Sequence, residues 1–121
     1  MSPAREAVRA ACIWKSPPDE GQILRGQFIF PEESPVFAGH FPDHPVLPAV
    51  IQTLMALLLL EEKGTPARLL SVAQAKYLFP VSPGVAVTLT VSPLPGENRW
   101  RCLLCTESGE TVSRFDMETA Q

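Results

Sequence analysis

Several things are scarce in this chain, and each scarcity excludes a class of protein. Only three cysteines occur among 121 residues, at Cys12, Cys102 and Cys105. The last two, in "RCLLCTE", have C-x-x-C spacing, but no second such pair exists to complete a zinc site. A redox C-x-x-C begins a helix, whose dipole lowers the thiol pKa. This one sits in a strand-like run, where residues three apart point to opposite faces. The expected state is ordinary reduced cysteines, with no metal and no cofactor. There is no basic run, and the formal charge is only −3, so nucleic acid is not an expected partner. The N-terminus "MSPAREAVRAACIW" has arginines but no apolar segment of the secretory kind. The longest apolar run, Val50 to Leu60, falls short of the roughly 20 residues that span a bilayer. A cytoplasmic protein with no membrane partner is the expectation.

Proline, in contrast, is abundant: thirteen residues, about twice the usual share. They are spread along the chain and read as punctuation between short elements. Length is that of one domain, spanning 1–121, with room for a sizeable core. "AVRAACIWK" reads as a first strand, "SPPDEGQ" as a turn and "ILRGQFIF" as a second strand, with Gly26 as a candidate bulge. Five prolines (Pro31, Pro35, Pro42, Pro45 and Pro48) then keep "PEESPVFAGHFPDHPVLP" out of regular structure. A helix follows over about 49–62, with Gly64 as its C-terminal cap. "LLSVAQAKYLFPV" is a long strand ended by "SPG". In "VAVTLTVSPL", Val85, Val87, Leu89 and Val91 alternate with smaller or polar residues, the mark of a half-buried strand. "PGEN" is a turn, and "SGE" joins the last two strands, "RWRCLLCTE" and "TVSRFDMET", as a hairpin. With no crossover helices in the second half, the strands should be antiparallel. The helix is apolar nearly all round and needs burial on most sides. The expected fold is α+β: one long central helix wrapped by a curved antiparallel sheet of five to seven strands. The sheet's open edge invites a second copy.

Chemistry concentrates in "FAGHFPDHPVLPAV". His40 is either a proton-transfer group or a residue that caps its loop by hydrogen bonding. His44 suits a surface or dimer contact. The two share the i,i+4 spacing of zinc helices, but Pro42 and Pro45 exclude a helix there. Asp43 could orient an imidazole or be solvated. Gln52 and Thr53 either line a pocket or face a partner subunit. Tyr77 and Phe79 read as core, and Glu61 and Glu62 as a helix end in water.

"GHFPDHPVLPAV" resembles the signature of the beta-hydroxyacyl-acyl-carrier-protein dehydratases, which have the hotdog fold and a pattern near G-H-F-P-x-x-P-V-x-P-G-V. Gly39, His40, Phe41, Pro42, Pro45, Val46, Pro48 and Val50 match. "AKYLFPVSPG" resembles the family's K-x-x-x-P-V-x-P-G at Lys76, Pro80, Val81, Pro83 and Gly84. The resemblance implies a 3-hydroxyacyl thioester substrate carried by acyl carrier protein or coenzyme A, and a homodimer or a hotdog heterodimer. It makes His40 the base that takes the C2 proton, a task suited to a group with a pKa near 6.5. It makes a free N–H at the helix start the group that polarises the thioester carbonyl. Gly39, Phe41, Pro48, Ala49, Val50 and Leu54 are the implied substrate-contacting positions.

Two positions depart from the family. Its helix-start glycine is Ala49 here, which keeps the N–H but adds a methyl group. Its helix carboxylate, fourteen residues after the histidine, is Leu54, which cannot transfer a proton. Three readings follow: a dehydratase-like enzyme of fatty-acid or polyketide type with altered catalysis, a non-catalytic subunit completing a heterodimeric dehydratase, and, ranked last, a hotdog acyl thioesterase.

Overall fold

The computed structural model describes residues 3–16, 21–38, 45–61 and 67–120. In chain order they form α1 (Pro3–Ala11), β1 (Cys12–Lys15), β2 (Leu24–Phe28), a 3₁₀ turn (Pro35–Phe37), α2 (Ala49–Glu61), β3 (Arg68–Tyr77), β4 (Val87–Pro93), β5 (Arg99–Thr106) and β6 (Thr111–Ala120). The strands make one six-stranded sheet in the order β1-β2-β4-β5-β6-β3. Each of its five pairings is antiparallel, as the absence of crossover helices in the second half requires.

The first element corrects the sequence reading. Residues 3–11 are a helix, so the first five residues of the expected strand, Ala7 to Ala11, are helical and only Cys12–Lys15 is extended. Alanine, arginine and glutamate are strong helix formers, and Pro3 occupies the first helical position, where its missing N–H costs nothing. Ala4, Ala7, Val8 and Ala11 recur at helical spacing; Val8 and Ala11 are buried, and the two alanines pack against the core. The expectation of one long central helix therefore gives way to two short ones, of 9 and 13 residues. The proline-rich loop also holds a little regular structure. Pro35 opens the 3₁₀ turn, and the Ser34 side chain accepts the N–H of Val36 at 3.4 Å.

α2 lies on the inner face of the sheet. Ile51, Met55, Ala56 and Leu57 through Leu60 are buried together with Phe28, Val87, Leu89, Val91, Cys102, Leu104 and Phe115. α1 covers another side of α2, held by Arg5 to Glu61 at 2.9 Å and Arg9 to Glu61 at 3.4 Å. So Glu61 does not simply end the helix in water; it ties two helices together. Glu62 and Gly64 lie outside the described residues.

Gly26 is not a bulge. β2 runs in unbroken register with β4, and the irregularity in the neighbouring pair lies on β1, between Cys12 and Trp14. A Cβ at Gly26 would stand 2.8 Å from Leu59 Cδ2, closer than real contacts allow. The glycine lets α2 approach the sheet. In the "SGE" hairpin Gly109 has φ +94°, a conformation glycine adopts without strain, and its N–H donates to the Thr106 carbonyl at 3.0 Å.

On β5 and β6, Arg101 grips Asp116 through two hydrogen bonds of 2.9 and 3.1 Å. That bond from Arg101 holds the Asp116 carboxyl below the usual carboxylate range. Its stabilising contribution is present above about pH 4, the ordinary aspartate pKa, and is lost as pH falls through the lowered folded-state value. Cys102 is fully buried and burial pushes its thiol far above the normal range. Cys105, three residues on, is half-buried, and both are free thiols. This agrees with the reading of ordinary reduced cysteines.

The sheet has two edges. β1, four residues long, pairs only with β2, while β3, ten residues long, pairs only with β6 and is exposed along most of its length, Leu70 and Val72 included.

Candidate active site

Local chemistry at the start of α2 produces an open helix end. The Pro48 carbonyl accepts the N–H groups of Ile51 at 3.1 Å and Gln52 at 3.2 Å, which makes Pro48 the cap residue. The N–H groups of Ala49 and Val50 come before the first intrahelical acceptor, and both residues are exposed. The positive end of the helix dipole is directed the same way.

Beside this end runs a groove of about 340 Å³, lined by Val46 to Ala49 and Gln52 on one wall and by Tyr77 to Pro80 on the other. The walls are tied by the Leu47 N–H to the Val81 carbonyl at 2.8 Å, while the N–H groups of Leu78 and Phe79 reach the Val112 carbonyl. Tyr77 and Phe79 are thus not core residues, as the sequence reading had them. They are 45% and 38% exposed and form a groove wall. The reason is position: the strand that carries Tyr77 is one of the sheet's two edges. The Tyr77 ring stacks on Phe115 with centroids 6.5 Å apart. Partial burial, and secondarily the neighbouring Cys102, push its phenol pKa up, so the hydroxyl stays protonated at neutral pH.

Gln52 is 4% exposed and bonded at both ends of its carboxamide. Nε2 donates to the Leu47 carbonyl at 3.4 Å, and Oε1 accepts from the Ser113 hydroxyl at 2.5 Å. Ser113, on β6, is fully buried. Of the two openings left by the sequence for Gln52 and Thr53, Gln52 takes the pocket. The Thr53 hydroxyl donates to the Ala49 carbonyl, one turn back, at 3.4 Å, and Thr53 is not among the groove residues.

The candidate positions separate into three places. Pro48 and Ala49 line the groove. Pro48 also borders a second depression of about 280 Å³ with Val50, Ile51, Pro35, Val36, Ala38 and the start of α1. Leu54 joins neither. It lines a void of about 10 Å³ with Arg5, Val8, Arg9, Leu58 and Glu61, on the α1 side of α2. Two residues at 3.6 per turn separate Gln52 and Leu54 by roughly half a circle, which accounts for their opposite surroundings. Gly39, His40, Phe41, Asp43 and His44 lie outside the described residues.

Ser113 and the α1 clamp on Glu61 escaped sequence reading. A glutamine inside an otherwise apolar helix was the one available signal, and its partner is 61 residues away.

A family model described as ApeI-like, ApeI dehydratase, matches residues 16–115. The chain belongs to the ApeI-like dehydratase family. Over 81 residues it is 33% identical to the 3-hydroxyacyl-[acyl-carrier-protein] dehydratase FabZ of Roseiflexus castenholzii, covering 60% of this chain and 57% of the relative. Over 86 residues it is 35% identical to FabZ of Levilactobacillus brevis, covering 64% and 58%. The matches thus span under three-fifths of the length of these curated relatives. In structure, it is similar to a chain of the dehydratase heterocomplex ApeI:P from Xenorhabdus doucetiae, with a TM-score of 0.76 at 20% identity, over 91% of this chain and 96% of that one. This ApeI-like family member has the hotdog fold, with two short helices where a single long one was expected.

Proposed function

We propose that this chain is a 3-hydroxyacyl thioester dehydratase, acting on acyl groups carried by acyl carrier protein or coenzyme A. The observation that carries the reading is the open N-terminus of α2 on the wall of an apolar groove, immediately after the histidine motif. An acyl chain of low polarity fits such a groove, and a thioester carbonyl fits the free N–H groups.

In the proposed reaction His40 takes a proton from C2. Charge then grows on the thioester oxygen, where the Ala49 N–H and the helix dipole stabilise it. The C3–O bond breaks, the hydroxyl leaves as water with the proton returned to it, and a 2-enoyl thioester remains. Gly39, Phe41, Pro48 and Val50 are the proposed substrate-contacting positions around this chemistry. With Leu54 in place of a carboxylate, no carboxylic acid on α2 is available to protonate the leaving group, so turnover by the chain alone is slow. A general acid contributes about 10²–10⁴-fold.

The assembly we propose is a dimer joined through β3. Ten residues of edge strand with exposed Leu70 and Val72, continued by exposed Leu78, are what a second hotdog subunit would cover. Leu54 also favours a second reading, in which the chain is the non-catalytic half of a heterodimer whose partner supplies the acid.

The test is enoyl-thioester formation from a 3-hydroxyacyl thioester. Slow turnover that disappears in His40→Ala supports the first reading. Activity only on mixing with an active hotdog subunit supports the second. Brisk turnover that survives His40→Ala refutes the assignment of His40.

A further inference from the structure

We infer that Gln52, oriented by Ser113, supplies a second hydrogen-bond donor to the thioester oxygen, beside the N–H at the start of α2. The inference rests on the proposed dehydratase reading and names a residue that reading does not use.

The orientation of the carboxamide follows from its partners. A peptide carbonyl only accepts, so the Leu47 carbonyl, 3.4 Å away, requires the NH₂ end of Gln52 on its side. The oxygen end then faces Ser113, whose hydroxyl donates to it at 2.5 Å. One N–H of Nε2 serves Leu47. The other has no acceptor among the described residues, and Gln52 lies on the groove wall with Leu47, Pro48 and Ala49. A glutamine in the first turns of a helix points back toward its N-terminus, which carries this amide toward the free backbone N–H groups.

The physical case is pre-organisation. A flexible surface amide would have to be ordered at the moment of reaction. Gln52 is 4% exposed and Ser113 is fully buried, so the donor is already held before charge develops on the substrate. Held by two buried partners, such a donor needs no reordering as charge develops. The arrangement also explains why an otherwise apolar helix keeps one buried amide and why β6 keeps one buried hydroxyl opposite it.

The experiment compares two probes on the full chain: 3-hydroxyhexanoyl-N-acetylcysteamine, and its thioether analogue with a methylene in place of the carbonyl. The wild type should bind the thioester better than the thioether. Gln52→Leu should remove most of that preference and lower kcat by about 100-fold, the effect of losing one oxyanion donor, while thioether binding stays as it was. Ser113→Ala, which frees the amide to rotate, should produce part of the same loss. Gln52→Leu alone leaves the Ser113 hydroxyl buried and unpaired, so Gln52→Leu combined with Ser113→Ala keeps the test valid by removing both polar partners. A purely structural role would weaken both probes together, and a preference for the thioester that survives in the double variant would likewise overturn the inference while leaving the dehydratase reading intact. Failure of the wild type to bind either probe would overturn the dehydratase reading, and this inference with it.

Discussion

At its first turn α2 leaves Ala49 and Val50 exposed beside an open groove, with no acceptor for their N–H groups inside the helix. Less than two turns later the same helix is enclosed. Met55 to Leu60 are buried, and Glu61 is held by Arg5 and Arg9 of α1. The sequence is apolar throughout, so hydrophobicity does not separate the two ends. What separates them is what covers each. Arg5, Val8 and Arg9 of α1 lie against Leu54, Leu58 and Glu61 in the C-terminal part, while the first turn borders the open groove walled by Tyr77 to Pro80. Exposure of backbone donors at one end is tolerable because burial of aliphatic side chains at the other supplies the helix's stability.

The largest effect should come from the enclosed end. Leu59 is 2% exposed and meets the sheet at Gly26, so Leu59→Ala should cost about 2–5 kcal/mol. A urea titration would register this as a lower midpoint with little change in slope. If the midpoint barely moved, the contrast between a stabilising end and an open end would be wrong.

Leu54→Glu tests the boundary between the two ends. An apolar wall alone would raise the pKa of the new carboxyl and make it a proton donor. The structure gives a different surrounding, since Arg5 and Arg9 line the same void and favour the ionised form. The expected outcome is a stably folded variant whose turnover does not rise between pH 6 and pH 8. A clear rise in turnover would mean that, in the assembled protein, this position reaches a groove after all.

The smallest effect should be at the clamp itself. Glu61→Gln removes two ion pairs between partly exposed side chains, an effect of about 0.2–1 kcal/mol. Thermal unfolding at low and high salt would measure it, and the gap between variant and wild type should shrink as salt screens the pairs.

Much of this was legible in advance. Alternation in β4 marked Val87, Leu89 and Val91 as one buried face, and they are buried. The apolar helix after the prolines begins at Ala49 and runs to Glu61, close to the expected bounds. The motif "GHFPDHPVLPAV" pointed to the dehydratase family to which the chain belongs. α1 was legible too, through Ala4, Ala7, Val8 and Ala11, but the extended run at Cys12–Lys15 drew the whole segment into a strand. The substrate roles of His40 and its neighbours stay as proposals, since residues 39–44 are outside the described structure.

The sequence by itself determined the elements with a strong local period and the motif that names the family, because side-chain alternation and turn chemistry act over a few residues. The tertiary structure alone decided that Gln52 meets Ser113 across 61 residues, that Glu61 meets α1 across more than 50, and that Leu54 turns toward those arginines. It also decided that Tyr77 lines a groove, because β3 adds to the far side of β6 and ends the sheet. These outcomes depend on strand order and on which face of α2 each neighbour covers, and no local periodicity carries that information.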